Sequence, residues 1–426
     1  MIAEKSIITS NLLEQLQKHA GKVGFMPDEE IVDAIRILED KGIPNNKHED
    51  YKYCNLEAVF RKEFKTIEQS FNELTNLDIA PYKIEEAINL VVVNGNYTEE
   101  LSEKIIVKGI TIKSLNELSN TEKQKISSQA KSSSDALIAL NSAFCENGLF
   151  LKVEKNNSIP MPVHIIYINS SNANALINTR NFIEIESNTE ITLIESFVNS
   201  GTGKIFSNFV SEKFIGENAK LNCYTIQTEN KLSYSVNTNQ VKINRYANYC
   251  NTTFTLSGEV VRNNHNVELA AANCEAHLNG LFITNGTQLV DNHTLIDHQM
   301  PNCESNELYK GVAKDKSIGI FNGKIFVRKD AQKTNAYQSS KNILLSNDAT
   351  INTKPQLEIY ADDVKCSHGT STGKVDEEAL FYLKARGIGD EVARKLLLQA
   401  FAQELIDKIE IKSLKERVLQ QFEKAL

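Results

Sequence analysis

Over about the first 140 residues, apolar positions recur mostly at helical spacing. Thr9-Ser10-Asn11 offers a cap to a helix starting near Leu12. Asp28-Glu29-Glu30 puts negative charge at the start of a second helix. In it Ile31, Ile35 and Leu38 share a face, and Gly42-Ile43-Pro44 stops it. Asn55 through Phe71 reads as a third amphipathic stretch. Around Ile84–Val93 the pattern turns β-like and ends at the turn dipeptide Asn94-Gly95. Ser132–Asn141 predicts one more helix.

From about residue 149 to 375 helical spacing vanishes and alternation replaces it. Ile183 and Ile185 alternate with Glu184 and Glu186, and Leu357 and Ile359 straddle Glu358. Turn residues punctuate the runs, as at Asn188-Thr189, Asn218-Ala219, Asn285-Gly286 and Asn347-Asp348. Many short strands at near-regular intervals mean a sandwich, a barrel or a β-helix. A loose motif recurs at Asn188-Thr-Glu-Ile, Asn218-Ala-Lys-Leu and Asp348-Ala-Thr-Ile, a polar turn residue followed by a strand. Asparagine tolerates the left-handed conformation at corners and can stack in ladders. The motif resembles one coil of a solenoid. Its period drifts, so the pattern leaves β-helix and sandwich both open.

Residues 376–426 return to helical spacing. Asp376 caps a helix beginning Glu377-Glu378, and Gly387 ends it. Asp390 caps the next, in which Leu396, Leu397, Ala400, Phe401 and Leu405 form an apolar stripe. Ser413-Leu-Lys-Glu416 reads as a capping box for a last helix with Val418, Leu419 and Phe422 on its stripe. These helices either cap an open solenoid end or offer a docking surface, with Phe381, Leu396, Leu397 and Phe401 as the candidate contact residues. The expected organisation is therefore 1–148 mostly helical, 149–375 a β core and 376–426 helical.

Charge narrows the function classes. Lys and Arg number 47 against 55 Asp and Glu, a net of −8. No basic face for nucleic acid follows from that balance, and an anionic membrane surface is equally disfavoured. The longest apolar runs are short, such as Leu90–Val93, so no membrane helix is expected. The N-terminus lacks the apolar core of a signal peptide. Seven cysteines are scattered without a C-x-x-C pair. The reading is a reduced, cytoplasmic protein.

No phosphate loop, dinucleotide fingerprint or nucleophile elbow is present. Two clusters carry possible chemistry. In Ala361–Gly369, Cys366 and His368 stand two apart, so on a strand they point to one side. A thiolate and an imidazole together suit iron or zinc, but two ligands are too few for a closed site. The alternative is a buried thiol beside a hydrogen-bonded histidine. In Asp291–Cys303, His293, His298 and Cys303 match no compact ligand spacing, which favours turn and stacking roles. The cysteines at 54, 145, 223, 250 and 274 read as isolated, mostly buried small hydrophobes.

Residues 291–388 hold DNHTLIDHQMPNCES, YKGVAKDKSIGIFNGKIFVRKDAQKTNAYQSSKNILLS and ADDVKCSHG followed by DEEALFYLKARGI. These pieces resemble the core of the SufB/SufD family, scaffold subunits of Suf iron–sulfur cluster assembly. The ADDVKCSHG run is similar to the SufD branch rather than to the SufB paralogue. Residues 42–56, GIPNNKHEDYKYCNL, resemble the family's N-terminal segment, with Tyr51 in place of its usual tryptophan and Cys54 in place of threonine. Thr370-Ser371 replaces the more usual Ala-Thr.

The resemblance implies a right-handed parallel β-helix between helical N- and C-terminal regions. It implies a non-enzymatic scaffold with two partners: SufC, an ABC-type ATPase, on the C-terminal helices, and SufB edge-on against the last coils. Cys366 and His368 would then lie at that seam as ligands of iron or of a transient iron–sulfur cluster, His368 foremost, with SufB supplying the rest. A reduced flavin in the complex and a homodimer of the isolated chain through an unpaired edge are also admitted. No cofactor is expected in the isolated chain. The competing class is a carbohydrate-binding β-helix protein. Against it stand the missing signal, the helical C-terminal zone and the lack of any tryptophan for sugar stacking.

Overall fold

The computed structural model describes residues 24–66, 74–105 and 107–426, with residues 8, 10–12 and 14–15 ahead of them. Among the described residues twenty strands, numbered along the chain, build two sheets. The first runs β4 (Ile110–Ser114), β5 (Gly148–Val153), β7 (Ala175–Ile185), β9 (Ile205–Ile215), β11 (Ser233–Ile243), β13 (Val260–Leu269), β15 (Leu289–His298), β17 (Ile318–Val327), β19 (Thr350–Ile359), with β1 (Lys65–Thr66) beside β7. The second runs β3 (Asn96–Tyr97), β2 (Ile88–Val93), β6 (Val163–Ser170), β8 (Glu190–Ser200), β10 (Lys220–Gln227), β12 (Asn248–Thr255), β14 (Glu275–Thr284), β16 (Glu304–Ala313), β18 (Thr334–Leu344), β20 (Val364–Gly373). From β5 to β20 the chain alternates between sheets, and neighbouring coils pair in parallel. Sixteen strands at two per coil make eight coils, a parallel β-solenoid rather than a sandwich.

The corners explain the asparagines. Asn156, Asn188, Asn218, Tyr246, Asn273, Asn302 and Lys333 hold φ between 56° and 61° at one corner of successive coils. An L-residue other than Asn pays a steric penalty there. Each of their N–H groups donates to a carbonyl in the next coil, for example Asn188 to Glu217 and Asn218 to Arg245. The side chains stack too: Asn218 Nδ2 donates to Asn188 Oδ1 at 2.9 Å, and Asn188 Nδ2 to Asn156 Oδ1 at 3.0 Å. Of the recurring motif, the copies at Asn188 and Asn218 thus mark equivalent corners. Asp348 does not, because it leads into β19 of the other sheet without left-handed geometry.

Between the sheets lies a core that includes Leu151, Ile165, Ile183, Leu193, Leu221, Leu278 and Phe321. The N-terminal region is mixed rather than mostly helical. Its helix α1 (Asp28–Lys41) matches expectation, and Gly42 at φ 64° closes it. Asn94 and Gly95, both at positive φ, turn β2 into β3. Of the expected first helix, residues 10–12 and 14–15 are helical, and Thr9 lies outside the described residues. The expected stretch from Asn55 to Phe71 yields helix only at Leu56–Phe60. Asn55 Oδ1 caps it by accepting from Ala58 N, and β1 follows because Lys65 and Thr66 pair with β7. Residues 67–71 lie outside the described residues. The predicted helix near Ser132 is α2 (Ala136–Phe144), whose cap is Asp135.

A buried ion pair binds the N-terminal region to the outer face of the first sheet. Arg180 on β7 donates to Glu212 on β9 at 2.8 Å, and both side chains are fully buried. Glu212 also accepts the backbone N–H groups of Ser127, Gln129 and Ala130. Arg180 donates in turn to Ala130 O and Ser127 Oγ.

Three helices follow the solenoid: α3 (Glu377–Ala385), α4 (Asp390–Ile406) and α5 (Lys412–Ala425). Asp376 caps α3 as expected, accepting from Glu378 N and Ala379 N. Two other expected caps do not form. Asp390 is the first residue of α4, where it pairs with Lys384 and Arg394. Ser413 sits inside α5 and its hydroxyl donates to Glu86. The buried face of α4 is Ala393, Leu398, Ala402, Leu405 and Ile406, while Leu396 and Ala400 are exposed, so the expected stripe is rotated. The rotation has a cause in packing. Helices α4 and α5 lie on the flank of the second sheet, against Tyr224, Phe254, Leu281 and Val312, and not over the solenoid's end. Among the described residues no helix is long and apolar enough to cross a membrane.

Candidate functional site

The last coil is open. Among the described residues β20 pairs with β18 alone and β19 with β17 alone. A Cβ added at Gly369 or Gly373 would meet nothing within 4 Å. On this rung Cys366 stands opposite Ala336 and His368 opposite Gln338. Ala336 and Gln338 are buried, so their column faces the lumen, and in-register partners in parallel strands point the same way. Cys366 and His368 therefore share the lumen-side face of the final rung, as their spacing predicts. Cys366 is half-buried against the cluster of Ala336, Leu357 and Val364, and burial raises its thiol pKa. His368 is exposed.

A thiol and an imidazole on one accessible face can take iron, zinc or another borderline-soft cation once the thiol is deprotonated. Among the described residues no group of three or more His, Cys, Asp or Glu side chains could hold a metal. Two ligands without a third leave coordination positions that the described residues do not fill.

The second predicted cluster does not converge. His293 lies on the outer face of the first sheet, 2.9 Å from Asp291 and 3.2 Å from Arg262. His298 points inward to Ser305 Oγ at 2.9 Å, and burial pulls its pKa down to about 4. Cys303 stands at a corner beside Cys274, and both thiols donate to Ala271 O. A cavity of about 350 Å³ does adjoin His293, lined also by Asp50, Arg262 and Lys324, but it is on the other sheet from Cys366. Of the remaining cysteines, Cys54, Cys145 and Cys223 are buried, and burial raises each thiol to about 12. Cys250 is half-buried.

The candidate docking residues divide by exposure. Phe381 is 73% exposed and Leu396 41%, alongside exposed Tyr382 and Val392. Leu397 and Phe401 instead pack partly against the core beneath α4. Lys310 secures this helix, donating to Phe401 O at 2.8 Å and pairing with Glu404 at 2.7 Å.

Sequence reasoning missed the polar groups inside the solenoid. Lys213 pairs with Glu195 at 2.7 Å and donates to Asn239 at 2.8 Å, all within the lumen. Nearer the open end, Glu307 and Gln338 occupy one column, and Gln338 Nε2 donates to Glu307 Oε2. Burial pushes the Glu307 carboxyl up to about 7. The signal was faint: in ESNELYKGVA and TNAYQSSKNIL the inward positions are polar as often as the outward ones, so alternation does not reveal the face.

Comparison with known proteins adds to this geometry. Residues 166–401 match the family model described as SUF system FeS cluster assembly, SufBD core domain, and residues 25–165 match the SufBD protein N-terminal region. The chain is 28% identical over 414 residues to the iron–sulfur cluster assembly protein SufD of Escherichia coli, covering 96% of each chain. It is 28% identical over 340 residues to SufD of Bacillus subtilis, covering 77% of this chain and 75% of that one. An iron–sulfur cluster assembly SufBD family protein of Synechocystis is 28% identical over 405 residues, covering 91% and 88%.

Proposed function

The chain belongs to the SufBD family of iron–sulfur cluster assembly proteins, and from that premise we propose that it is a SufD-type, non-catalytic scaffold subunit acting in the cytoplasm. It pairs through the edges of β19 and β20 with a SufB-like sister chain. It docks an ABC-type ATPase of the SufC kind on the exposed face of α3 and α4. Iron, or the nascent cluster, is its cargo, bound at the seam by His368 and Cys366 with the remaining ligands from the sister chain. The observation that carries this reading is the last rung, where a thiol and an imidazole face the lumen beside two unpaired strand edges.

Two incomplete sites that meet across an interface suit a cluster that must be built and then released. Nucleotide-driven closure of the ATPase pair would shift the two attached scaffolds and so bias a two-state seam. A reduced flavin, if bound to the complex, would supply electrons from outside the residues named here.

The test is His368→Ala in the co-expressed complex. The expected result is intact assembly with iron and acid-labile sulfide reduced to background. Normal cluster yield in that variant would refute a ligand role for His368.

A further inference from the structure

Glu307, Gln338 and His368 occupy one register column on three successive rungs, β16, β18 and β20. Gln338 is 3% exposed. Its Nε2 donates to Glu307 Oε2, which fixes the amide with the nitrogen toward Glu307. Its Oε1 is buried and has no hydrogen-bond partner among the described residues. A buried carbonyl oxygen without a donor is unfavourable and calls for an explanation. The space around this amide is also shaped by the sequence: a Cβ at Gly323 on the facing sheet would come within 2.2 Å of Gln338 Nε2. On the column's open side, the next rung up, about 4.8 Å away, carries His368. That imidazole is exposed on the final strand and so has room to turn.

We propose that Gln338, oriented by Glu307, is a positioning residue for His368: its amide oxygen accepts one imidazole N–H and leaves the other ring nitrogen facing the seam as the metal ligand. Metal-bound histidines generally donate their second ring N–H to an acceptor, which sets the tautomer and the ring plane. The unsatisfied oxygen is such an acceptor. Turning the amide over would break the bond from Gln338 Nε2 to Glu307 Oε2, the contact that sets its present orientation. The inference rests on the ligand role of His368 proposed above.

Two measurements separate the two ideas. The first uses the full chain alone, with ¹⁵N-labelled histidine, and reads the His368 tautomer from its ring-nitrogen shifts, assigned with His368→Gln. One dominant tautomer is expected in the native chain and a solvent-like mixture in Gln338→Met, a substitution of similar shape. Glu307→Met, which frees the amide to turn over, should move the shifts the same way and serves if Gln338→Met does not fold. Unchanged shifts in a folded variant would overturn the proposal. The second titrates Co²⁺ into the complex assembled with the sister subunit. Gln338→Met should weaken binding by roughly 10–100-fold, the usual effect of losing a partner behind a ligating histidine. Native affinity in that variant, where His368→Ala abolishes binding, would equally overturn it. If His368→Ala binds Co²⁺ as tightly as the native complex, the ligand reading fails instead, and the tautomer shifts still decide whether Gln338 holds the ring.

Discussion

Glu212→Ala should lower the stability of the chain by about 3–5 kcal/mol, the range for breaking one partner of a buried ion pair. The substitution strands the fully buried Arg180 guanidinium and simultaneously leaves the N–H groups of Ser127, Gln129 and Ala130 without an acceptor. Burying a charge without a counter-charge is the larger of these effects. The double variant Arg180→Met, Glu212→Leu should recover the part of the loss due to the stranded charge, but not the part due to the three N–H groups. Urea unfolding midpoints of the three chains measure this. A loss below about 1 kcal/mol for Glu212→Ala would mean that water reaches Arg180 and that the pair does not anchor the N-terminal region. Early proteolysis around Ser127–Ala130 in the single variant would locate the loosened segment there.

Placing aspartate at both Phe381 and Leu396 should abolish docking of the ATPase while leaving the chain folded. Both side chains are exposed, and neither belongs to the buried face of α3 or α4, which uses Leu380, Leu398 and Ala402. Fully burying a Leu or Phe side chain is worth about 1.5–3 kcal/mol, and an aspartate in its place would bury an unpaired charge as well. Losing two such anchors amounts to about 4 kcal/mol, roughly a thousandfold in affinity. Size-exclusion co-elution with the ATPase and the sister subunit reads the outcome. The expected result is loss of one ATPase copy with the sister subunit retained. Co-elution at native stoichiometry would place the docking surface elsewhere. Leu397 and Phe401 are poorer probes, because their partly buried rings and methyls support α4 against the second sheet, and a charge there would unseat the helix itself.

Much of the solenoid was legible because its corners leave a chemical trace. Asn188 and Asn218 occupy a backbone conformation that disfavours most residues, so the recurrence of asparagine reported the coils directly. Asp348 mimicked that trace from the other sheet, where an ordinary turn tolerates any short polar residue. Alternation also paired Cys366 with His368 correctly, since a two-residue period needs no tertiary information. What the sequence could not convey was set by partners distant along the chain. The α4 stripe was misplaced by a part-turn because Leu396 and Ala400 are apolar but have nothing to cover, whereas Leu398 and Ala402 meet Phe254 and Leu281 on the sheet. Ser413-Leu-Lys-Glu416 has the spacing of a capping box, but Glu86, more than three hundred residues earlier, claims the Ser413 hydroxyl. The lumen's charges were invisible for the same reason. Nothing local to Glu307 or Lys213 marks it as buried: Gln338 covers one from the next rung, and Glu195 meets the other across the lumen.

The most direct measurement is pulsed electron–nuclear double resonance on the reduced cluster of the assembled complex, with ¹⁵N-histidine in this chain only. A histidine of this subunit bound to the cluster should give a ¹⁵N hyperfine coupling that disappears in His368→Gln. A cluster-bearing complex with no ¹⁵N coupling from this chain, or with a coupling that survives in His368→Gln, would contradict the assignment of the solenoid's last rung as half of the cluster site.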